Sequence, residues 1–339
     1  MLSQLGITLP VLAAPMAGGP TSPAMVIAAG RAGSLGMVAA GYKTAQAVEE
    51  QIRQVRAESI PFGVNIFAPN PLPVDPELYR WYAAEIQRDA VRFGLSLPAE
   101  PIEDTDSFDD KIQLLMDDPV PLVSFTFGIP PQRVVQALKA AGTIVVQTVT
   151  NRVEATAARD AGADALAVQA HTAGGHSGTF TPTEPLVPTP ITTLVADITR
   201  AVDLPVIAGG GLATPQAVAE VIHAGAAAAV VGTVLLRAAE SGASATHRAA
   251  LVDPARTETV ITRAFTGRPA RGLRNAFIDA HEADAPWGYP AIHYLTSPLR
   301  KAAAAAGQPD FVHLWAGTGY RHATDEPTAE ILGRLAGSL

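Results

Sequence analysis

Leu138-Lys139-Ala140-Ala141-Gly142, Ala157-Ala158-Arg159-Asp160-Ala161-Gly162 and Val221-Ile222-His223-Ala224-Gly225 are three versions of one phrase, and each leads within three residues into a short apolar run. An alanine-rich helix end followed by glycine is a stop signal, because glycine adopts the left-handed conformation that terminates a helix without a Cβ clash. The runs that follow, 143–148, 165–169 and 228–231, are short and apolar throughout, the pattern of parallel strands buried on both faces. Working outward, five more runs of this kind stand at 11–14, 35–39, 62–66, 122–125 and 206–208. Helical spacing of apolar residues occupies 45–55, 131–141, 152–161 and 215–223 between them. Thr214 before Pro215 adds an N-cap followed by a proline at the first helical position. Eight strand and helix units in sequence point to closure into a (β/α)8 TIM barrel, with a doubly wound open sheet as the alternative arrangement of the same units.

Two stretches break the repeat. Residues from about 69 to 119 read as an enlarged connection after the third strand, and residues from 250 onward as a mostly helical addition over the barrel mouth. The expected organisation is a barrel over 1–249 and a helical substrate-side segment over 250–339 that returns to the barrel. With 339 residues, 48% of them apolar and 17% charged, the chain has the composition of a globular protein with a large core. Its net charge of −8 comes without a basic cluster, which argues against nucleic acid and against an anionic membrane surface as partners. The absence of cysteine excludes disulfides, thiolate metal sites and cysteine nucleophiles. With no basic, apolar leader at the start and no run long enough to span a bilayer, the protein reads as cytoplasmic. Nothing in the sequence distinguishes a monomer from a dimer.

In such barrels the chemistry sits on the loops that follow the strands, and phosphate is commonly held after the seventh and eighth. Gly209-Gly210-Gly211-Leu212-Ala213-Thr214 and Gly232-Thr233 stand at those two places. Backbone free of side chains can approach an anion closely, and the threonine hydroxyl can add a hydrogen bond. After the sixth strand comes the densest polar stretch, 169–180, in which His176 lies between Gly174-Gly175 and Gly178. An imidazole titrates near neutral pH, so His176 is the candidate base, whereas His171, nearer the strand, reads as structural. No carboxylate lies close enough in sequence to complete a histidine-based metal set, so no metal is expected. Asn65 and Gln147 end the third and fifth strands as amides able to face a heterocycle, and Ala14-Pro15-Met16-Ala17-Gly18-Gly19 offers backbone along which a flat ring can lie.

These motifs, with Phe62-Gly63-Val64-Asn65 and Ala173-Gly174-Gly175-His176-Ser177-Gly178, resemble the nitronate monooxygenase family, formerly the 2-nitropropane dioxygenases. The resemblance runs from the first strand to about Leu236 and resumes near Trp315-Ala316-Gly317-Thr318-Gly319. It implies FMN, with the phosphate at Gly210, Gly211, Gly232 and Thr233 and the ring near Met16, Ala17, Gly18, Asn65, Gln147, Gly174 and Gly175. It implies that His176 takes the α-proton of a nitroalkane, and that the nitronate is oxidised with dioxygen to a carbonyl compound and nitrite. Thr172, Ser177 and Thr318 stand where relatives commonly carry Glu, Arg and Gln, so the substrate pocket is expected to differ. Phe67, Tyr294, Trp315 and Thr318 are the candidate substrate contacts.

The alternative on the same scaffold is an NAD(P)H-dependent flavin reductase, of the NADH:quinone or enoyl-acyl-carrier-protein type. The related IMP dehydrogenases need a cysteine nucleophile that this chain lacks. A Schiff-base aldolase would need a strand-end lysine, for which only Lys43 is placed. A barrel that holds flavin or phosphate without catalysis is the reading from a different class.

Overall fold

The computed structural model describes residues 2–339. Eight parallel strands, β1 (Val11–Ala13), β2 (Gly36–Ala39), β3 (Phe62–Phe67), β4 (Leu122–Thr126), β5 (Ile144–Val149), β6 (Ala165–Gln169), β8 (Val206–Gly209) and β9 (Ala228–Val231), form one sheet in the order β1-β9-β8-β6-β5-β4-β3-β2. The missing number, β7 (Gly175–His176), is a two-residue strand outside it. The sheet closes on itself: the amide of Ala13 in β1 donates to the carbonyl of Leu35 at the start of β2, 2.9 Å away. That bond between the two ends of the order removes the open-sheet alternative.

Each strand lands within one residue of the apolar run that marks it. Alternation along the strands divides the core. Leu12, Met37, Leu122, Val146, Ala165, Ile207 and Ala228 point inward and fill the barrel. Their neighbours Val11, Ala13, Val145, Val168 and Ala208 point outward beneath the helices. The three repeated phrases end their helices as expected, with Gly142, Gly162 and Gly225 at φ of +86°, +96° and +110°. Thr214 caps the following helix by accepting the amide of Ala217 at 3.2 Å.

The outer ring consists of α1 (Pro23–Arg31), α2 (Ala45–Arg56), α4 (Phe108–Asp117), α5 (Gln132–Ala140), α6 (Arg152–Asp160), α7 (Ile191–Ala201), α8 (Pro215–His223) and, from the far end of the chain, α12 (Thr328–Leu335). Helix α12 packs on β1 between α1 and α8, so the last barrel helix arrives only after a long excursion. Its Ile331, Leu332 and Leu335 are fully buried in the barrel's outer core.

The enlarged third connection contributes α3 (Pro76–Ala90) before the chain returns to the ring at α4. The C-terminal addition contributes α9 (Ala245–Ala250), α10 (Ala276–His281) and α11 (Ala291–Ala305). Tyr79, Tyr82 and Ile86 of α3 pack with Phe265, Phe277, Ile292, Leu295 and Leu299, so the two irregular stretches share one core above the barrel. The Tyr82 hydroxyl donates to the Ala264 carbonyl at 2.6 Å and ties them polar to polar. The addition also holds a hairpin that sequence pattern did not reveal: β10 (Thr259–Thr262) pairs antiparallel with β11 (Ala270–Leu273), and β11 pairs antiparallel with β7. These strands are short, and Arg271 and Gly272 interrupt any apolar run. Among the described residues no helix is long and apolar enough to cross a membrane.

Because α12 supplies the ring's final contact, Leu332→Ala should lower the stability of the whole barrel by about 2–5 kcal/mol, the usual cost of a large-to-small change at a fully buried site. Val252→Ala, at a position 55% exposed, should fall within about 0.5 kcal/mol of wild type. Urea midpoints of the two variants check this, and equal midpoints would show that α12 is not integral to the barrel.

Candidate active site

A cavity of about 740 Å³ opens at the carboxyl ends of the barrel strands, roofed by α11 and the 312–319 segment. Its wall carries Met16, Ala17, Gly18, Asn65, Phe67, Gly174, Gly175, His176, Gly210, Gly211, Gly232, Thr233, Tyr294 and Trp315, so fourteen of the sixteen residues anticipated from sequence meet in one space.

The other two lie elsewhere. Gln147 faces away from the cavity because strand side chains alternate: Val146 and Thr148 line the space, and Gln147 between them points out. Its Nε2 donates to the carbonyls of Phe125, Gly128 and Thr148, which anchors the β4–α5 connection instead of facing a ring. Thr318 is exposed; its amide donates to Thr172 at 3.1 Å, and its hydroxyl sits behind Gly211 rather than on the cavity wall.

One pole of the cavity is built to receive an anion. Gly210 and Gly211 take φ of +117° and +74°, which turns the chain sharply after β8 in a conformation that side chains resist. The amides of Gly210, Gly211 and Thr233 have no protein acceptor among the described residues. The Thr233 oxygen accepts the Gly317 amide at 2.9 Å, which leaves the hydroxyl proton free to donate. Converging backbone and hydroxyl donors of this kind suit a phosphate.

Across the cavity stands His176. Its backbone pairs with Ala270 and that of Gly175 with Arg271. Gln169, at the end of β6, clamps the same loop twice: its Nε2 donates to the His176 carbonyl at 3.1 Å, and its Oε1 accepts the Gly178 amide at 2.7 Å. Phe127, Tyr289 and Trp315 surround the imidazole at centroid distances of 5.8, 5.5 and 5.5 Å, and Thr266 Oγ1 lies 2.9 Å from its Nε2. Asn65, Ser124 and Thr126 continue the polar rim, with Asn65 Nδ2 donating to Ser124 Oγ at 2.8 Å and Thr126 Oγ1 at 3.1 Å.

No Asp or Glu lines the cavity, whereas Lys43, Arg300 and Lys301 do, in a chain of net charge −8. Arg300 is buried without a carboxylate; its Nε donates to Thr296 Oγ1 at 2.9 Å and its Nη2 to the His293 carbonyl at 2.7 Å. Arg268, also buried without a carboxylate, lies 4.2 Å from the Phe127 ring centroid and donates to the Thr179 carbonyl at 2.6 Å. Burial lowers both guanidinium groups to about 10, so they remain cations at neutral pH. Burial, reinforced by Arg268 and Arg300, pushes His176 down to about 3 and holds it neutral. Lys43, the strand-end lysine, gives its amine to the Ala39 carbonyl at 2.7 Å and to Gln51 Oε1 at 2.9 Å. Above this wall Tyr42, at φ +64°, stacks on His293 at 4.0 Å, and Asp106 accepts its amide at 2.7 Å.

Gln169, Tyr42, Thr266, Arg268, His293 and Arg300 were not singled out from sequence. Gln169 opens the polar stretch and could have been found from its strand-end position; the others lie in segments without motif and reach the site only through packing.

Burial also lowers His247 to about 4 and His293 and His313 well below the ordinary range. All four imidazoles are neutral when folded but can charge near 6.5 when unfolded. Their contribution to stability is therefore full above about pH 6.5 and is lost as pH falls from there toward about 4 and about 3. A His247→Gln variant should show a shallower loss of urea midpoint between pH 6.5 and 4.5 than wild type; an unchanged slope would refute this.

The Nitronate monooxygenase family profile matches residues 1–336. A probable nitronate monooxygenase of Staphylococcus aureus (strain Newman) is 36% identical over 344 aligned residues, covering 100% of this chain and 96% of that protein. The crystal structure of nitroalkane oxidase from Streptomyces ansochromogenes is 41% identical, with a TM-score of 0.93 over 100% of this chain and 98% of that one. The structure of FabK from Thermotoga maritima, at 24% identity, shares the fold with a TM-score of 0.77 over 98% of this chain and 93% of that one. With the family profile spanning the barrel, the glycine cradle and the His176 loop together, this chain belongs to the nitronate monooxygenase family of oxidoreductases.

Proposed function

We propose that the protein binds FMN and uses dioxygen to oxidise alkyl nitronates, and nitroalkanes once deprotonated, to a carbonyl compound and nitrite. The observation that carries this reading is the charge pattern of the cavity: cations and open amides, a neutral imidazole, and no carboxylate on its wall. Such a wall suits two anions at once, a phosphate and a nitronate, and would repel neither.

FMN fits the cradle on its chemistry. Gly210, Gly211, Gly232 and Thr233 would hold the phosphate through amides and one hydroxyl, and Met16, Ala17, Gly18, Asn65, Gly174 and Gly175 would border the ring. When bound, it would supply the electron acceptor and the partner for dioxygen. His176 takes the α-proton of a neutral nitroalkane: the C–H bond breaks, its electron pair becomes the C=N bond of the nitronate, and the proton resides on imidazole. Protonating an imidazole held near 3 is costly in isolation, but the same step creates an anion beside it, and Arg300 and Lys301 favour that anion. Phe127, Tyr289 and Trp315 flank the imidazole edge-on with aromatic surface, and the residue lines the cavity. A nitronate supplied ready-made needs no base.

An anaerobic visible spectrum tests the reading. Bleaching of a flavin absorbance by an alkyl nitronate, with no change from NADH, is the expected outcome; bleaching by NADH alone would make the protein a reductase. His176→Ala should retain the chromophore and slow turnover of neutral nitroalkanes by roughly 10²- to 10⁴-fold while leaving nitronate turnover within a few fold. Equal losses on both substrates would remove His176 as the base.

A further inference from the structure

We infer that Thr266 is a positioning residue that fixes His176 as the Nε2–H tautomer and thereby leaves Nδ1 as the basic atom; this rests on the reading of His176 as the base. Thr266 Oγ1 lies 2.9 Å from His176 Nε2 and 3.2 Å from the Arg268 carbonyl oxygen. A carbonyl only accepts, so the single hydroxyl proton belongs to that contact. The hydroxyl oxygen is then the acceptor toward the ring, and Nε2 carries the hydrogen. His176 Nδ1 has no hydrogen-bond partner and is not among the buried unpartnered polar atoms, and the residue lines the cavity. Its lone pair is therefore the open one.

Three features make Thr266 a built support. The side chain is fully buried, so water does not compete for either contact. Its turn is held by the Gly267 amide, which donates to the Arg263 carbonyl at 2.7 Å, and by the Gly267 carbonyl, which accepts the Gly288 amide at 3.2 Å. Two residues further on, the Ser177 amide donates to the Pro269 carbonyl at 2.9 Å, and Ala270 pairs with His176 itself. The imidazole and its hydroxyl partner thus sit on two segments laced together by backbone, which limits rotation of the ring about its side-chain torsions. In the proton transfer, Nδ1 gains the substrate proton and the Nε2–H···Oγ1 bond strengthens as the ring becomes cationic, with no second proton moving.

The experiment is side-chain 15N NMR of the purified holoprotein labelled at histidine, with His176→Gln assigning the resonance among the eight histidines. Wild type should show a protonated Nε2 and an unprotonated Nδ1. Thr266→Ser should keep that pattern, and Thr266→Val should shift the ring toward the other tautomer or a mixture. A wild-type signal with the hydrogen on Nδ1, or a Thr266→Val spectrum matching wild type, would overturn the assignment; if Thr266→Val does not fold, the wild-type spectrum alone decides. Kinetics add a second readout. Turnover of a neutral nitroalkane should fall roughly ten- to a hundredfold in Thr266→Val, recover in Thr266→Ser, and change little when a preformed nitronate is supplied. The tautomer is read without turnover, so a protein that proves inactive on nitro compounds would end the functional reading and leave the assignment of Nε2–H standing or falling on its own spectrum.

Discussion

The antiparallel pairing of Gly175 and His176 with Arg271 and Ala270 is the constraint on which the site depends. Without it the glycine-flanked loop after β6 would have several accessible conformations, and the imidazole no fixed direction. With it, the loop becomes the edge of a three-stranded sheet whose other members belong to the C-terminal addition. Gln169 reinforces the arrangement from the barrel side by gripping the loop on both sides of Ser177. His176 is thus held between the barrel below and the cap above.

The same junction explains why so many charged and titratable groups can be buried here. The two irregular stretches share an aromatic and aliphatic core of their own, and that core carries Arg268 and Arg300 into the roof without acidic partners. Isolated buried cations are unfavourable, and each is offset here by hydrogen bonds to carbonyls or hydroxyls and, for Arg268, by the face of Phe127. The consequence is a positive potential that favours anions in the cavity and that, at His176, His293 and His313, adds the repulsion of Arg300 to the burial that already keeps the imidazoles neutral. Burial at this junction thus has two effects: its neutral histidines weaken the fold in acid, and its arginines favour the negatively charged ligands of the proposed function.

Much of this was legible in the chain. The strands coincide with the apolar runs because a strand buried on both faces has little choice of composition, and the repeated phrases end helices because glycine is needed at each left-handed position. His176 stood out because glycines flank it at a strand end. Gln147 misled because a strand-end amide reads the same whichever face it takes, and only the register with Phe125 and Leu166 turns it outward. The hairpin of β10 and β11 was hidden because its strands are short and polar-interrupted, and Thr266, ninety residues from its imidazole partner, shares no local pattern with it.

By itself the sequence determined the (β/α) repeat, the glycine cradle after the last two barrel strands and the identity of the candidate base, because periodicity and glycine placement act over a few residues and leave a local trace. Only the tertiary structure decided which strand faces look inward, which helix closes the ring, and which distant hydroxyl and guanidinium groups surround His176. Those depend on contacts between segments far apart in the chain, where the packing of one body against another, rather than any neighbouring residue, sets direction and charge.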